Sequence, residues 1–348
     1  MFPFKDIGGF KIFLPRDCDI EKGVQTLKHI NAVNREFLET HASITPQKRI
    51  TGTFICAHAP DYYGRPMLRE SVADWEAMFH RFKENGVDTV IFQAALWAEL
   101  EECYYETLIF PKFKRFRVIE NMLEAAANES MDVYLGNYGS VLGWANKFDD
   151  QIIAEEMKKH RLCFEELRNL GKVKGFYFPC ESAFMGRRDL RQERKINTLY
   201  RHFSDMVKGS DTSLEIISSP GTKYFPNCEE AFVDSWNASL ENVHLDIMMP
   251  QDSVGCGGCT LDVQPLMWSL WSKICNQNSC KLWGNIELFE RRSFTEKVNL
   301  YPASPTRIAH QINQVGQYAA KLCCWEMQYF PTADAGEEGL TLAEFLKK

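Results

Sequence analysis

Gly175-Phe-Tyr-Phe-Pro-Cys-Glu181 is a short apolar run that ends abruptly in a carboxylate. Lys281-Leu-Trp-Gly-Asn-Ile-Glu287 does the same about a hundred residues later. Strands read as continuous apolar runs when helices cover both faces of a parallel sheet. A Glu at the carboxyl end of such a strand faces the crevice where α/β proteins bind ligands. Two of them, on two strands, form a candidate carboxylate pair.

Working outward from these runs, strands are predicted at Ile50–Ala57, Val87–Ala94, Met131–Gly136, Val173–Phe178, Ser213–Ser218, Leu245–Met249, Lys281–Ile286 and Lys321–Trp325. Each is followed by a stretch of helical spacing, and Gly86 and Gly171 stand where two of those helices stop. Eight strand–helix units at intervals of roughly 35–40 residues are the count for a closed parallel (β/α)8 barrel. An open doubly wound sheet would carry a Gly-rich phosphate turn after its first strand. Here that turn is His58-Ala-Pro-Asp-Tyr-Tyr-Gly64, which cannot cradle a pyrophosphate with bare backbone. The expected fold is therefore an α/β (β/α)8 TIM barrel over residues 49–348. Residues 1–48 form an N-terminal helical extension, with Ile20–Leu38 helical by its apolar period. The extension is expected to pack on the barrel, either closing its bottom or bordering its mouth.

The composition fits this plan. The chain has 348 residues, 45% apolar and 25% charged, enough for a large packed core. A net charge of −7 argues against nucleic acid or an anionic membrane as a partner. The twelve Cys fall mostly inside predicted elements and form no regular disulfide framework, which points to a reducing, cytoplasmic setting. No basic segment followed by an apolar core opens the chain, and no apolar run reaches membrane-spanning length. Cys256-Gly-Gly-Cys259 lacks the second ligand pair a structural zinc needs, so neither metal nor cofactor is expected.

In a barrel, the residues just after each strand share one mouth. Strand one brings His58, and strand two Gln93 and Trp97. Strand three brings Asn137, Tyr138 and Trp144, and strand four Glu181. Strand five brings Tyr224, and strand six Gln251 and Asp252. Strand seven brings Asn285, Glu287 and Glu290, and strand eight Trp325 and Glu326. Acids and amides hydrogen-bond hydroxyls while indole and phenol rings stack on C–H faces, so the mixture suits a carbohydrate. Glycosidic bond cleavage needs one carboxyl group to protonate the leaving oxygen and another to attack the anomeric carbon or activate water. Glu181 is the candidate general acid/base and Glu287 the candidate nucleophile. Against this stands the ordinary use of such a Glu as a helix cap or an Arg partner. Asp252 has two readings of equal weight: a hydroxyl-binding or acid-orienting group, or an Asx-turn leading into the Gly255-Cys-Gly-Gly-Cys259 loop.

With those residues in hand, the chain resembles a bacterial family of TIM-barrel domains of unknown function grouped with the glycoside hydrolases. The stretches that carry the resemblance are Gly175–Glu181, Ile247-Met-Met-Pro-Gln-Asp-Ser-Val-Gly255 and Leu282-Trp-Gly-Asn-Ile-Glu-Leu-Phe-Glu290. It covers about residues 50–330 and leaves the first 48 outside. The resemblance implies a carbohydrate-directed barrel, with Glu181 and Glu287 where the larger superfamily keeps its acid/base and its nucleophile. One departure bears on recognition of a sugar 2-hydroxyl: many retaining barrel glycosidases carry Asn before the acid/base, and this chain has Cys180. The expected function is a glycoside hydrolase acting on an oligosaccharide or glycoconjugate, with retention of configuration. A non-catalytic carbohydrate-binding barrel and a metal-dependent sugar lyase or isomerase remain the alternatives. The expected partner is the carbohydrate substrate, with homo-oligomer formation left open.

Overall fold

In the computed structural model, eight parallel strands close into a barrel. The structure describes residues 4–7, 10–13, 20–57, 71–98, 100–140, 149–293 and 300–348. In chain order the barrel strands are Ile50–Ile55, Thr89–Phe92, Asp132–Gly136, Gly175–Phe178, Glu215–Ser218, Ile247–Met248, Lys281–Glu287 and Lys321–Trp325. Each pairs with its sequence neighbours, and the eighth pairs with the first. The sixth strand is shorter than its sequence suggests. Asp246 spends its carboxylate on the Ile216 N–H at 2.8 Å, and Pro250 has no N–H to extend the ladder.

Side chains alternate between two apolar layers, as the period of a strand requires. Phe54, Ile91, Tyr134, Tyr177, Ile217, Ile247, Met249, Trp283 and Cys323 fill the barrel interior. Their sequence neighbours, such as Phe92, Leu135, Phe176 and Phe178, face the surrounding helices in a second and larger core. The interior is thus packed solid below the carboxyl ends of the strands, and a ligand can enter only above them.

The base is closed by ion pairs between strands. Lys321 bonds Asp88 at 2.5 Å, Lys174 bonds Asp132 at 3.3 Å, and Lys281 bonds Glu215 at 2.9 Å. Glu215 also accepts from the Tyr134 hydroxyl at 2.6 Å, from inside the barrel. Burial alone would raise the Glu215 pKa. The Tyr134 hydroxyl and Lys281 outweigh it and hold the carboxyl below its ordinary value.

Residues Ile20–Thr40 form a helix that runs down the outside of the barrel. Its early turns touch the loops after strands six and seven at the mouth, through Leu27 against Gly257 and Asn31 to the Arg291 carbonyl. The chain then reaches the base, where Gln47 N–H bonds Asn313 and Lys48 bonds the Ala319 carbonyl. The extension therefore borders the mouth at one end and feeds strand one from below at the other. Ahead of the helix, Phe10–Phe13 pairs antiparallel with Phe4–Ile7.

After strand two the chain makes an excursion. Leu96–Trp97, Glu102–Cys103 and Lys114–Arg115 form a small sheet with Tyr138–Gly139. Glu166 anchors it by accepting from the Tyr105 and Thr107 hydroxyls and from the Leu108 and Ile109 N–H groups. Among the described residues, no helix is long and apolar enough to cross a membrane.

Glu215→Gln keeps the size of the side chain but removes the charge that Lys281 and Tyr134 stabilise. At about pH 7 it is expected to lose roughly 1 kcal/mol of stability in chemical denaturation. Because the folded pKa is the lower one, that contribution is present above the unfolded value and lost as pH falls through the folded one. Wild type and variant should converge in stability below about pH 4.

Candidate active site

Strand seven ends in Glu287, which alternation with Trp283 and Asn285 turns into the lumen. The residue is 3% exposed. A carboxylate this deep needs hydrogen bonds to stay charged. The loop after strand six supplies one: the Cys256 N–H donates to Glu287 Oε2 at 2.6 Å. The approach is possible because the preceding residue is Gly255. A Cβ there would lie 2.1 Å from the Phe289 carbonyl and 3.0 Å from Glu287 Oε2. From below, the buried Arg307 guanidinium donates to the Glu287 carbonyl at 2.9 Å and to that of Phe289. It pins the exit of the strand.

Asp252 lies beneath this carboxylate and has no exposure at all. Its Oδ1 accepts from Val254 N–H at 3.2 Å and from the Glu287 N–H at 3.4 Å, and Gln311 Nε2 bonds Oδ2. The bond to the residue two ahead is the Asx-turn geometry. Asp252 thus makes the Asx-turn and, through the Glu287 N–H, also touches the acid, so elements of both readings from sequence are present. Burial and the Glu287 charge push Asp252 up to about 8. Burial also raises Glu287, while the Cys256 N–H, Arg307 and Arg291 draw it back. Burial pushes both carboxyls up, and repulsion between them opposes their joint ionisation.

Around this pair the lumen carries amides and hydroxyls. Asn285 Nδ2 donates to Ser219 Oγ at 3.2 Å, and Gln251 Nε2 donates to the Ser219 carbonyl at 3.2 Å. Strands five, six and seven are thus tied together at the rim. On strand eight, in register with Glu287, the Trp325 ring packs on Phe54 of strand one at 5.4 Å, and Phe54 meets Tyr177 edge-on at 5.1 Å. The peptide between Trp325 and Glu326 is cis. Glu326 is fully buried and accepts from Gln328 Nε2, which also bonds the Cys56 carbonyl. Three buried lumen atoms find no hydrogen-bond partner among the described residues: Gln93 Oε1, the Tyr177 hydroxyl and Asn285 Oδ1. Asn137 Nδ2, at the end of strand three, is in the same condition. Buried polar groups of this kind need a partner from solvent or ligand.

Glu181 is partly buried, three residues beyond the end of strand four, and follows the tight Cys180 N–H to Phe178 carbonyl contact of 2.9 Å. Burial raises the Tyr177 hydroxyl's pKa, and the Glu181 charge raises it further. The other residues singled out in the sequence divide. Tyr138 lies outside the lumen, its ring edge-on to His160 at 5.6 Å, because alternation is broken after Gly136. Trp97 is buried against Gly139 in the small sheet. Tyr224 is half-buried and bonds Glu229 at 3.4 Å, and Glu290 pairs with Arg292 at 3.4 Å. His58 and Trp144 lie outside the described residues. Tyr177, Arg307, Gln311 and the Cys256 N–H were not singled out. Only Tyr177 carried a signal, its even spacing along a strand that ends at the mouth.

Asp252→Asn should retain the fold, because Asn keeps the Oδ1 acceptor and can donate to Gln311 Oε1, which has no partner among the described residues. A carboxyl with a raised folded pKa contributes stability that is complete below its unfolded value and lost as pH rises through the folded one. Wild type should therefore weaken relative to Asp252→Asn between about pH 4 and pH 8, by roughly 1–2 kcal/mol. Denaturation midpoints across that window measure it.

Residues 50–334 match the family model described as a domain of unknown function, DUF4434. No curated protein is a significant match. Among solved structures, one from Bacteroides thetaiotaomicron, provisionally assigned as an alpha-L-fucosidase, superposes with a TM-score of 0.72 at 16% identity. The match covers 89% of this chain and 96% of that one. A GH113 beta-1,4-mannanase gives 0.52 at 10% identity, over 86% of this chain and 99% of the other. A beta-galactosidase from Marinomonas ef1 gives 0.52 at 8% identity, over 80% and 54%. At such identities the likeness is one of fold. The barrel is thus the kind on which several glycoside hydrolases are built, and by its sequence the chain belongs to the DUF4434 family.

Proposed function

We propose that the protein is a glycoside hydrolase that cleaves an O-glycosidic bond with retention of configuration. Glu287 is the nucleophile and Glu181 the general acid/base. The observation that carries this reading is the setting of Glu287: a buried lumen carboxylate whose Oε2 is held at 2.6 Å by a backbone N–H. With Oε2 held, Oε1 is the oxygen that attacks the anomeric carbon. Glu181, three residues beyond the fourth strand, protonates the leaving oxygen and then activates water for the second step. Asn285, Gln93 and the Tyr177 hydroxyl supply hydrogen bonds to sugar hydroxyls, and the Trp325 ring offers a stacking face. The shared fold with proteins named for fucoside, mannan and galactoside cleavage supports the reaction class and leaves the sugar open.

The test is a panel of aryl glycosides and natural oligosaccharides assayed with wild type, Glu287→Gln and Glu181→Gln. Glu287→Gln should lose about a thousandfold or more in kcat on every substrate. Glu181→Gln should lose about 10²–10⁴-fold where the leaving group needs protonation, and much less on activated aryl glycosides. Proton NMR should find the first-formed sugar in the anomeric configuration of the substrate. Sugar binding by all three proteins, with no turnover by wild type, would instead make the barrel a binding protein.

A further inference from the structure

The extension sits where it can act on Glu287. Leu27 and Asn34 lie on one face of the helix Ile20–Thr40 and are 3% and 6% exposed. That face meets the loop after strand six at two points just beyond Cys256. Gly257 adopts φ +79°, and a Cβ there would approach Leu27 Cδ1 to 2.7 Å. Four residues on, the Leu261 N–H donates to Asn34 Oδ1 at 2.8 Å. A third contact reaches the other wall, where Asn31 Nδ2 donates to the Arg291 carbonyl at 3.0 Å. The two walls are joined by the Arg291 N–H on the Gly255 carbonyl at 2.8 Å. Cys256, whose N–H bonds Glu287, stands in the chain between Gly255, bonded to Arg291, and Gly257, packed on Leu27.

From this arrangement we infer that the helix Ile20–Thr40 is a positioning element for the candidate nucleophile, holding residues 255–261 so that the Cys256 N–H meets Glu287, with Leu27, Asn31 and Asn34 as the positioning residues. The inference rests on the reading of Glu287 as nucleophile for its effect on turnover, but not for its effect on the carboxyl group itself. The helix acts by placement, not by charge. The titratable and charged groups around Glu287 are Asp252 and Cys256 from the loop after strand six, Arg291 from the segment after strand seven, and Arg307 from the helix Pro305–Gly316. None of these belongs to the helix Ile20–Thr40. Within the loop, Gly258 and Cys259 N–H both bond the Ser253 carbonyl, so it moves as one unit and a contact at Gly257 or Leu261 is felt at Cys256.

The test uses the full chain with Leu27→Ala and Asn34→Ala, beside the conservative Leu27→Met and Asn34→Asp, the last of which keeps an acceptor for the Leu261 N–H. The Glu287 carboxyl is followed by carbon NMR of protein labelled at glutamate carboxyls, its signal assigned by its loss in Glu287→Gln. Loosening the N–H donor removes a bond that favours the charged form. The Glu287 titration should therefore rise by about one pH unit in both alanine variants and return toward wild type in the conservative ones. The acid limb of the kcat profile should shift with it, and kcat should fall about tenfold with KM little changed. Alanine variants that merely unfold more easily, while Glu287 titrates as in wild type, would overturn the inference. A shifted titration in a protein that hydrolyses no glycoside would uphold it and sink the hydrolase reading alone.

Discussion

The site depends on one hydrogen bond, from the Cys256 N–H to Glu287 Oε2. A carboxylate in the dry lumen of a barrel takes up a proton unless donors and cations compensate for the lost water. Here the compensation comes largely from backbone and from residues outside the lumen. Gly255 lets the loop approach, Arg307 fixes the end of the strand, and Asp252 accepts from the Glu287 N–H beneath it. Gly255 and Asp252 come from the loop after strand six and Arg307 from a helix, so the setting of Glu287 reports the assembled mouth and not strand seven alone.

The barrel serves this arrangement in two ways. Its filled interior, from Phe54 to Trp283, leaves room for a ligand only above the last apolar layer. Its base is locked by lysine–carboxylate pairs between strands, so loops at the opposite end can be shaped for chemistry while the strands keep their register. The helix Ile20–Thr40 links the two ends, touching the mouth loops and feeding strand one from the base.

Much of the fold was legible in the sequence because parallel strands buried on both faces read as unbroken apolar runs, as in Gly-Phe-Tyr-Phe and Lys-Leu-Trp-Gly. Gln251, Asn285 and Glu287 were legible for a related reason: they stand at or just beyond strand ends, where alternation still dictates direction. Tyr138 was misjudged because the alternation stops at Gly136, and its ring turns to the helix layer. The contribution of Cys256 was hidden in principle. Its Cys-x-x-Cys spacing was weighed as a zinc site and set aside, whereas its backbone N–H, which any residue but proline would carry, bonds Glu287 together with the thiol. Arg307 and Gln311 were equally hidden, since they reach the site from the first turns of a helix that follows the mouth loops.

The central claim is that Glu287 is the nucleophile of a retaining glycosidase. Intact-protein and peptide mass spectrometry after incubation with 2-deoxy-2-fluoro glycosides, which slow the second step, tests it most directly. The account predicts one fluoroglycosyl group bound to the protein, on the peptide that carries Glu287, and none in Glu287→Gln. An adduct on Glu290 or Glu326, or hydrolysis of glycosides with inversion and no adduct, would contradict it.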